Sequence, residues 1–302
     1  MSKGSVCIVG MRVPQLTAMG HDRKEAGVFT LLATLKSLNT QLPSSPPEKT
    51  SITPKKSSSP NPENAKMTIE EHDMWDELNI EYEHAYRNNP FKQDCVEKAI
   101  ALLKPGSRVL DVGCGTGVPV AKMLANSGME VHGTDVAPQM IHHAKSSVKG
   151  TFEVANMVDH QPRGTFDAIF VIFSHLGLSY AEFHRAVHRL AKTLRPDGLL
   201  IIGQAPAEQV VPPQDDAWDE TRSYVEGYNL PFWGQPFPTL MFSRAGQKSF
   251  LESMGSTTLY DEVNTFQPDN VKCGPEQQQY IIARRNGDDP VMQPLPVPKA
   301  KV

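Results

Sequence analysis

The chain has 302 residues, of which 39% are hydrophobic and 21% charged, a balance that fits one sizeable folded domain with added polar segments. No stretch nears the ~20 consecutive apolar residues of a membrane helix, and no compact apolar run with a cleavage site opens the chain, so neither membrane insertion nor secretion is expected. The net charge of −4 divides unevenly, +5 over residues 1–66 and −9 over the rest; an acidic folded part is a poor match for a phosphate backbone, and no nucleic-acid partner is expected.

Residues 40–66 are rich in Pro, Ser and Lys and contain no aromatic residue. Such a segment buries too little apolar surface to offset its ordering entropy, so residues 1–66 read as a disordered or poorly ordered extension, dispensable for chemistry. Met67 directly precedes the first strongly patterned segment and reads as an alternative start. Cys7, Cys95, Cys114 and Cys273 show no ligand or framework spacing, which argues against structural zinc and disulfides and for a reducing, cytoplasmic compartment.

Residues 68–89 place Trp75, Leu78, Tyr82 and Tyr86 at helical spacing. Pro90 ends that helix or opens the next, which runs through Val96, Ile100 and Leu103. Short apolar strands then alternate with helices. The strands are expected over Arg108–Val112, Glu130–Thr134, Thr151–Ala155, Phe166–Phe173 and Gly198–Gly203, the helices near 118–127, 137–147 and 180–194. This alternation predicts an α/β fold with a parallel sheet covered on both faces. Residues 204–242 break the pattern with six prolines, Trp218 and Trp233, and the acidic run Asp215, Asp216, Asp219 and Glu220. They read as a long functional loop. A helix at Ser243–Met254 and strands near Thr257–Phe266 and Gln278–Ala283 follow, and residues 286–302 read as a loose tail.

The strand at Arg108–Val112 runs straight into Gly113-Cys114-Gly115-Thr116-Gly117. A turn this tight needs residues without a Cβ, and the helix behind it offers unpaired N–H groups to a ligand. Three nucleotide-type ligands use this logic. A phosphate loop would require a lysine after the last glycine, and none follows Gly117. A dinucleotide fold spaces its third glycine one residue later. The remaining pattern, Val109-Leu-Asp-Val-Gly-Cys-Gly-Thr-Gly117, resembles motif I of the class I S-adenosylmethionine-dependent methyltransferases.

Four further elements carry that resemblance in order: Val131-His-Gly-Thr-Asp135, Ala155-Asn-Met157, Phe166-Asp-Ala-Ile-Phe-Val171 and Leu194-Arg-Pro-Asp-Gly-Leu-Leu-Ile201. In the last, Asp197 replaces the first glycine of the family's turn. The resemblance covers about residues 70–285 and implies a Rossmann-like seven-stranded sheet flanked by helices on both faces, its last strand antiparallel. The methyltransferase domain is accordingly expected over 67–285, with 204–242 as an acceptor-pocket or lid insertion.

Carried over by position, the resemblance implies S-adenosyl-L-methionine as cofactor. It places Gly113, Cys114, Gly115, Thr116 and Gly117 along the methionine portion and Asp111 at the turn and the cofactor ammonium. Asp135 with Val136 falls at the ribose, Asn156 and Met157 at the adenine, and Phe173 at the end of the fourth strand. Tyr82 either closes over the methionine end or simply packs its helix; Cys114 reads as a small turn residue rather than a reactive thiol.

His175, in the loop after the fourth strand where ligands of open parallel sheets bind, is the candidate general base or substrate-orienting group. His184 and His188, four apart on a helix, read as a solvated face rather than a metal pair, and no metal is expected. Trp218, Tyr224, Tyr228 and Trp233 are candidate acceptor-binding residues, with Glu208, Asp215 and Asp219 available to a cationic group. The tetrapeptide of base-amine methylation is absent after the fourth strand. The function expected is methyl transfer to O, N or S of a small organic acceptor, as in secondary metabolism, by a monomer or homodimer. A protein or peptide methyltransferase, or a cofactor binder without transfer, is the alternative.

Overall fold

The computed structural model describes residues 69–287. The extension expected over 1–66 and the tail expected over 286–302, apart from its first two residues, lie outside the described residues.

Two helices, α1 (Ile69–Tyr86) and α2 (Pro90–Ala101), precede the sheet. The alternating part follows as β1 (Arg108–Val112), α3 (Val120–Asn126), β2 (Glu130–Asp135), α4 (Pro138–Ser147), β3 (Thr151–Val154), β4 (Phe166–Ile172), α5 (Tyr180–Thr193) and β5 (Leu194–Gln204). Then come β6 (Tyr224–Phe232), β7 (Gln235–Phe242), α6 (Arg244–Ser253), β8 (Ser256–Phe266) and β9 (Glu276–Arg285). Seven strands form one sheet in the order β3-β2-β1-β4-β5-β9-β8. Strands β1 to β5 are parallel, and β9 runs antiparallel to both β5 and β8. The α/β class, the seven strands and the antiparallel last strand are those the sequence implied.

Alternate residues of each strand feed two cores. Val109, Phe170, Ile201 and Ile282 pack with Val96 of α2, Leu124 of α3 and Ile141 of α4 on one face. Leu110, Ile169, Leu200 and Ile281 pack with Phe183 and Leu190 of α5 and Leu251 of α6 on the other. Burial on both faces is why these strands read as unbroken apolar runs.

Two expectations are corrected here. Residues 204–242 are not one long loop, because β6 and β7 form a two-stranded antiparallel sheet. Its prolines mask the strands in sequence, since a proline withholds a ladder donor. An isolated ribbon has two edges, and Pro231 faces Pro236 next to the turn without cost to the ladder. That turn is Trp233-Gly234, with φ of 52° and 80°, the double left-handed turn whose twist suits a two-residue hairpin. The second correction concerns β5, which starts at Leu194 rather than Gly198: Leu194 pairs with Phe166 before the register shifts ahead of Leu199. Asp197 supplies the irregularity at φ 61°, a conformation that Asp tolerates better than most residues.

Candidate active site

At the carboxyl ends of β1, β2 and β4 lies a cleft of about 1180 Å³, open mouth included. Its floor is the glycine turn. Gly113, Gly115 and Gly117 have φ of 70°, 56° and 80°. The turn is packed from behind: a Cβ on Gly113 would fall 2.1 Å from Ser174 Cβ, and one on Gly117 would fall 2.9 Å from Val148 Cγ2. Gly115 instead faces open space, its nearest neighbour Met140 Sδ at 3.8 Å. Gly117 is thus a packing glycine that does not line the cleft, whereas Gly113, Cys114, Gly115 and Thr116 do.

Neighbouring strands hold the turn in place. The Gly113 and Cys114 amides both donate to Thr134 O, at 2.7 and 2.9 Å. Asp135, at the end of β2, accepts from the Gly115 amide with one carboxylate oxygen and from the Ala137 amide with the other, each at 2.9 Å. These donors pull its carboxyl down, but burial prevails and leaves it above the ordinary range. The Cys114 thiol is buried in the core and pushed well up by that burial, so it stays protonated, as a small turn residue should.

Asp111 presents the sharpest anomaly. It is buried at 3% exposure, lines the cleft, and its Oδ2 has no hydrogen-bond partner. Burial first, then the Asp135 charge, pushes its carboxyl up to about 7, against the pull of Lys92. Lys92 comes from α2, where it occupies the inward stripe with Cys95, Val96 and Ala99. Burial lowers its ammonium to about 8, opposed by Glu276 and Asp111, and Nζ sits 5.7 Å from the Tyr86 ring centroid. An unpartnered buried carboxylate oxygen and a buried amine beside one cleft are costly for stability, and a ligand of opposite charges relieves both.

The remaining walls come from three directions. Ala155, Asn156 and Met157 follow β3; Asn156 Oδ1 accepts from the Val158 amide at 2.9 Å, which commits that atom to shaping the loop. Val136 and Phe173 line the cleft, Phe173 at φ 55° where β4 ends. Helix α1 lays Trp75, Asn79, Tyr82, Glu83 and Tyr86 along the opposite side. It is tied down by Asp76, whose carboxylate accepts from the Gln139 amide at 2.9 Å, and the Tyr82 and Tyr86 rings lie 4.7 Å apart, tilted by 30°. Tyr86 donates to Glu276 at 3.2 Å, and burial raises both phenols, which remain neutral.

Several sequence candidates stand elsewhere. His175 is fully buried, stacked on Phe183 at 4.3 Å, with neither ring nitrogen hydrogen-bonded and its imidazole lowered to about 3 by burial. It does not line the cleft, although Ser174 and Leu176 on either side do. A general base must reach its proton, so this placement corrects the expectation for His175.

His184 and His188 are buried at 4% and 8% exposure, not solvated; His184 packs 5.7 Å from both Tyr180 and Phe250. None of Trp218, Tyr224, Tyr228 and Trp233 lines the cleft. Trp218 anchors a separate small core, with Tyr228 packed against it, and donates to Pro212 O at 3.0 Å. Tyr224 stacks on Tyr180 at 4.0 Å, and Trp233 is buried among Ala85, Tyr86 and Phe266. The acids of the insertion cap backbone instead: Glu208 accepts from Arg244 N, Asp215 from Ala217 N, Asp219 from Ser223 N and Tyr224 N. Of the insertion only Phe237 lines the cleft.

Among the cleft residues that the sequence did not single out are Trp75, Asn79, Glu83, Tyr86, Lys92, Ser174 and Phe237. A lysine inside the apolar stripe of α2 was the one available signal. Among the described residues no group of three or more His, Cys, Asp or Glu is placed to hold a metal, and no helix is long and apolar enough to cross a membrane.

A family described as "Methyltransferase domain" matches residues 109–198, which span β1 to the start of β5. The ubiquinone biosynthesis O-methyltransferase of Xanthomonas campestris is 34% identical over 124 residues, 38% of this chain and 48% of that protein. Phosphoethanolamine N-methyltransferase 3 of Arabidopsis thaliana is 36% identical over 107 residues, 33% of this chain and 21% of that protein. The chain therefore spans about half the length of the first of these relatives, or less. A solved S-adenosylmethionine-dependent methyltransferase from Methanosarcina mazei superposes with a TM-score of 0.51 at 17% identity, covering 66% of this chain and 98% of that one, a likeness of fold. With the glycine turn, the two strand-end aspartates and the sheet order in place, the chain carries a methyltransferase domain over residues 109–198, in the fold of the class I S-adenosylmethionine-dependent methyltransferases.

Proposed function

We propose that this protein transfers the methyl group of S-adenosyl-L-methionine to an oxygen, nitrogen or sulfur of a small organic acceptor. The observation that carries this reading is the unpartnered Asp111 Oδ2, buried beside Lys92 at the foot of an open glycine turn. A free amino acid carries both an ammonium and a carboxylate. Asp111 fits the first and Lys92 the second, while Asp135, whose oxygens already accept backbone bonds with lone pairs to spare, fits ribose hydroxyls. Ala155, Asn156 and Met157 form the wall left for the base.

When bound, the cofactor supplies a methyl carbon on a sulfonium, open to in-line attack. The chain's own work is to align the acceptor with it and to keep water away. Trp75, Tyr82 and Phe237 serve that end; Trp75 lies 5.5 Å from Tyr82 and 6.2 Å from Phe237, so α1 and the hairpin meet over the cleft. This roof supports a small acceptor over a folded protein chain. The X. campestris relative is named for O-methylation and the A. thaliana one for N-methylation. Secondary metabolism and the cytoplasm are our reading of the setting, supported by Phe237 of the insertion at the cleft and by Cys95, Cys114 and Cys273, which form no disulfide among the described residues.

Titration calorimetry with S-adenosylmethionine and S-adenosylhomocysteine tests the reading. Asp135→Ala should weaken both by about ten- to a hundredfold, the worth of one or two hydrogen bonds to a charged group. A wild type that binds neither compound refutes the proposal. Labelled methyl incorporation into fractionated extract then finds the acceptor, and binding without incorporation points to a cofactor binder that transfers nothing.

A further inference from the structure

Arg189 lies on α5, on the far side of the base wall from the cleft. Its Nε donates to His160 O at 2.9 Å, and its Nη2 donates to Met157 O at 2.8 Å and Val158 O at 2.5 Å. One guanidinium thus gathers three carbonyls of a segment that has no regular secondary structure. The same segment closes on itself: Asn156 O accepts from Asp159 N at 3.1 Å and from His160 N at 2.8 Å. What remains facing the cleft is Ala155, Asn156 and Met157.

The helix behind this clamp is firmly seated. Ser179 and Glu182 form a capping box at its start, and Phe183, Ala186, Val187 and Leu190 are buried against the sheet. The base wall therefore takes its position from α5 and, through it, from the sheet.

We propose that Arg189 is a positioning residue for base recognition, its forked guanidinium setting residues 155–160 so that their cleft side selects a purine with a 6-amino group. The inference rests on the cofactor reading above. Arginine suits the task because its donors are fixed in one plane and stay charged, whereas a lysine ammonium is a point donor that cannot span three carbonyls in the same geometry. Selection between an amino and an oxo edge depends on matched hydrogen bonds, and a site built to bond one group rejects its counterpart strongly. A loop free to shift loses the match at the base while the amino-acid end, held by β1 and α2, is untouched.

The test uses the full chain and two ligands, S-adenosylhomocysteine and S-inosylhomocysteine, which differ in the 6-amino or 6-oxo group and in the proton that the oxo form carries on N1. Calorimetry on the wild type should favour the adenine compound by about a hundredfold. Arg189→Lys should narrow that ratio by about tenfold, the equivalent of one bond between a charged and a neutral group. Arg195→Lys, an exposed partner of Asp167 outside the cleft, should leave it unchanged.

Equal loss of both ligands with the ratio kept makes Arg189 merely structural and overturns the proposal, as does an unchanged ratio or a wild type indifferent to the base. A wild type that binds neither ligand fails at the cofactor reading itself and takes this inference with it. Should Arg189→Lys not melt cooperatively, Asn156→Ala addresses the loop from its other side and must narrow the ratio alike. Where both fold, the double variant must be no worse than the poorer single one, since both act through one loop.

Discussion

On the proposed reading, Asp111 and Lys92 are buried charges held at a cost in stability for the two ends of an amino acid. Each is a charged group taken out of water, and each is shifted towards neutrality by that burial, to about 7 and about 8. The signs set a pH profile. Below about 7, Asp111 takes up a proton and loses its attraction for an ammonium; above about 8, Lys92 gives one up and loses its attraction for a carboxylate. Glu276 on β9, Asp111 on β1 and the Tyr86 ring on α1 are the groups that face Lys92. The affinity for S-adenosylhomocysteine is accordingly expected to peak between these values. Asp111→Asn should remove the acid limb, and Lys92→Met should flatten the alkaline one, with any residual loss due to the ligand's own ammonium. An alkaline limb untouched by Lys92→Met assigns it wholly to the ligand.

His175 makes the opposite case, a titratable side chain turned wholly to packing. Its folded value is about 3 against an ordinary 6.5, so the unfolded chain binds the proton more tightly, and stability falls as pH drops from 6.5 towards 3. Between pH 6.5 and pH 5 this amounts to about 2 kcal/mol. His175→Phe keeps the stack on Phe183 and should lose less stability over that range in urea melts. A variant as acid-sensitive as the parent shows that other groups carry the acid limb.

At the scale of elements, the hairpin and α1 divide the labour that the sequence assigns to the insertion alone. Helix α1 contributes five residues to the cleft and β7 contributes Phe237. The aromatic residues of the insertion are spent elsewhere: Trp218 joins Ala207, Val211, Val225 and Met241 in a core of their own. Trp218→Ala should therefore cost about 3 kcal/mol of stability, as for other buried tryptophans, and leave S-adenosylhomocysteine affinity within a factor of about two. A selective loss of ligand affinity with stability intact would return Trp218 to the site. The hairpin was illegible because Pro231, Pro236 and Pro238 interrupt its alternation.

For the molecule as a whole, the order β3-β2-β1-β4-β5-β9-β8 reverses direction between β1 and β4, and the cleft opens beside that point. In an open parallel sheet the connections leave β1 and β4 on opposite sides, so a crevice forms at their carboxyl ends. The two cores on the two faces keep the strands in register, and the strand ends carry Asp111, Asp135 and Phe173 to one place. Residues far apart in the chain thereby meet: Tyr86 bonds Glu276 across the sheet's antiparallel end, and Asn89 bonds Gln278 and Tyr280.

The sequence by itself determined the fold class, the glycine turn and the strand ends that line the cleft. Their signals are local: glycines at left-handed φ, aspartates at strand ends, and apolar runs long enough to be buried on both faces. Tertiary structure alone decided which side chains of the helices and the insertion face the cleft. His175 and Ser174 are neighbours in sequence, yet only Ser174 lines it, because the turn after β4 directs one side chain to the cleft and its neighbour under α5. Arg189 reads in sequence as an ordinary surface charge, and Lys92, although it interrupts the apolar stripe of α2, does not announce what it meets. Their roles arise from what α2 and α5 pack against, contacts made by residues distant in the chain that no local pattern encodes.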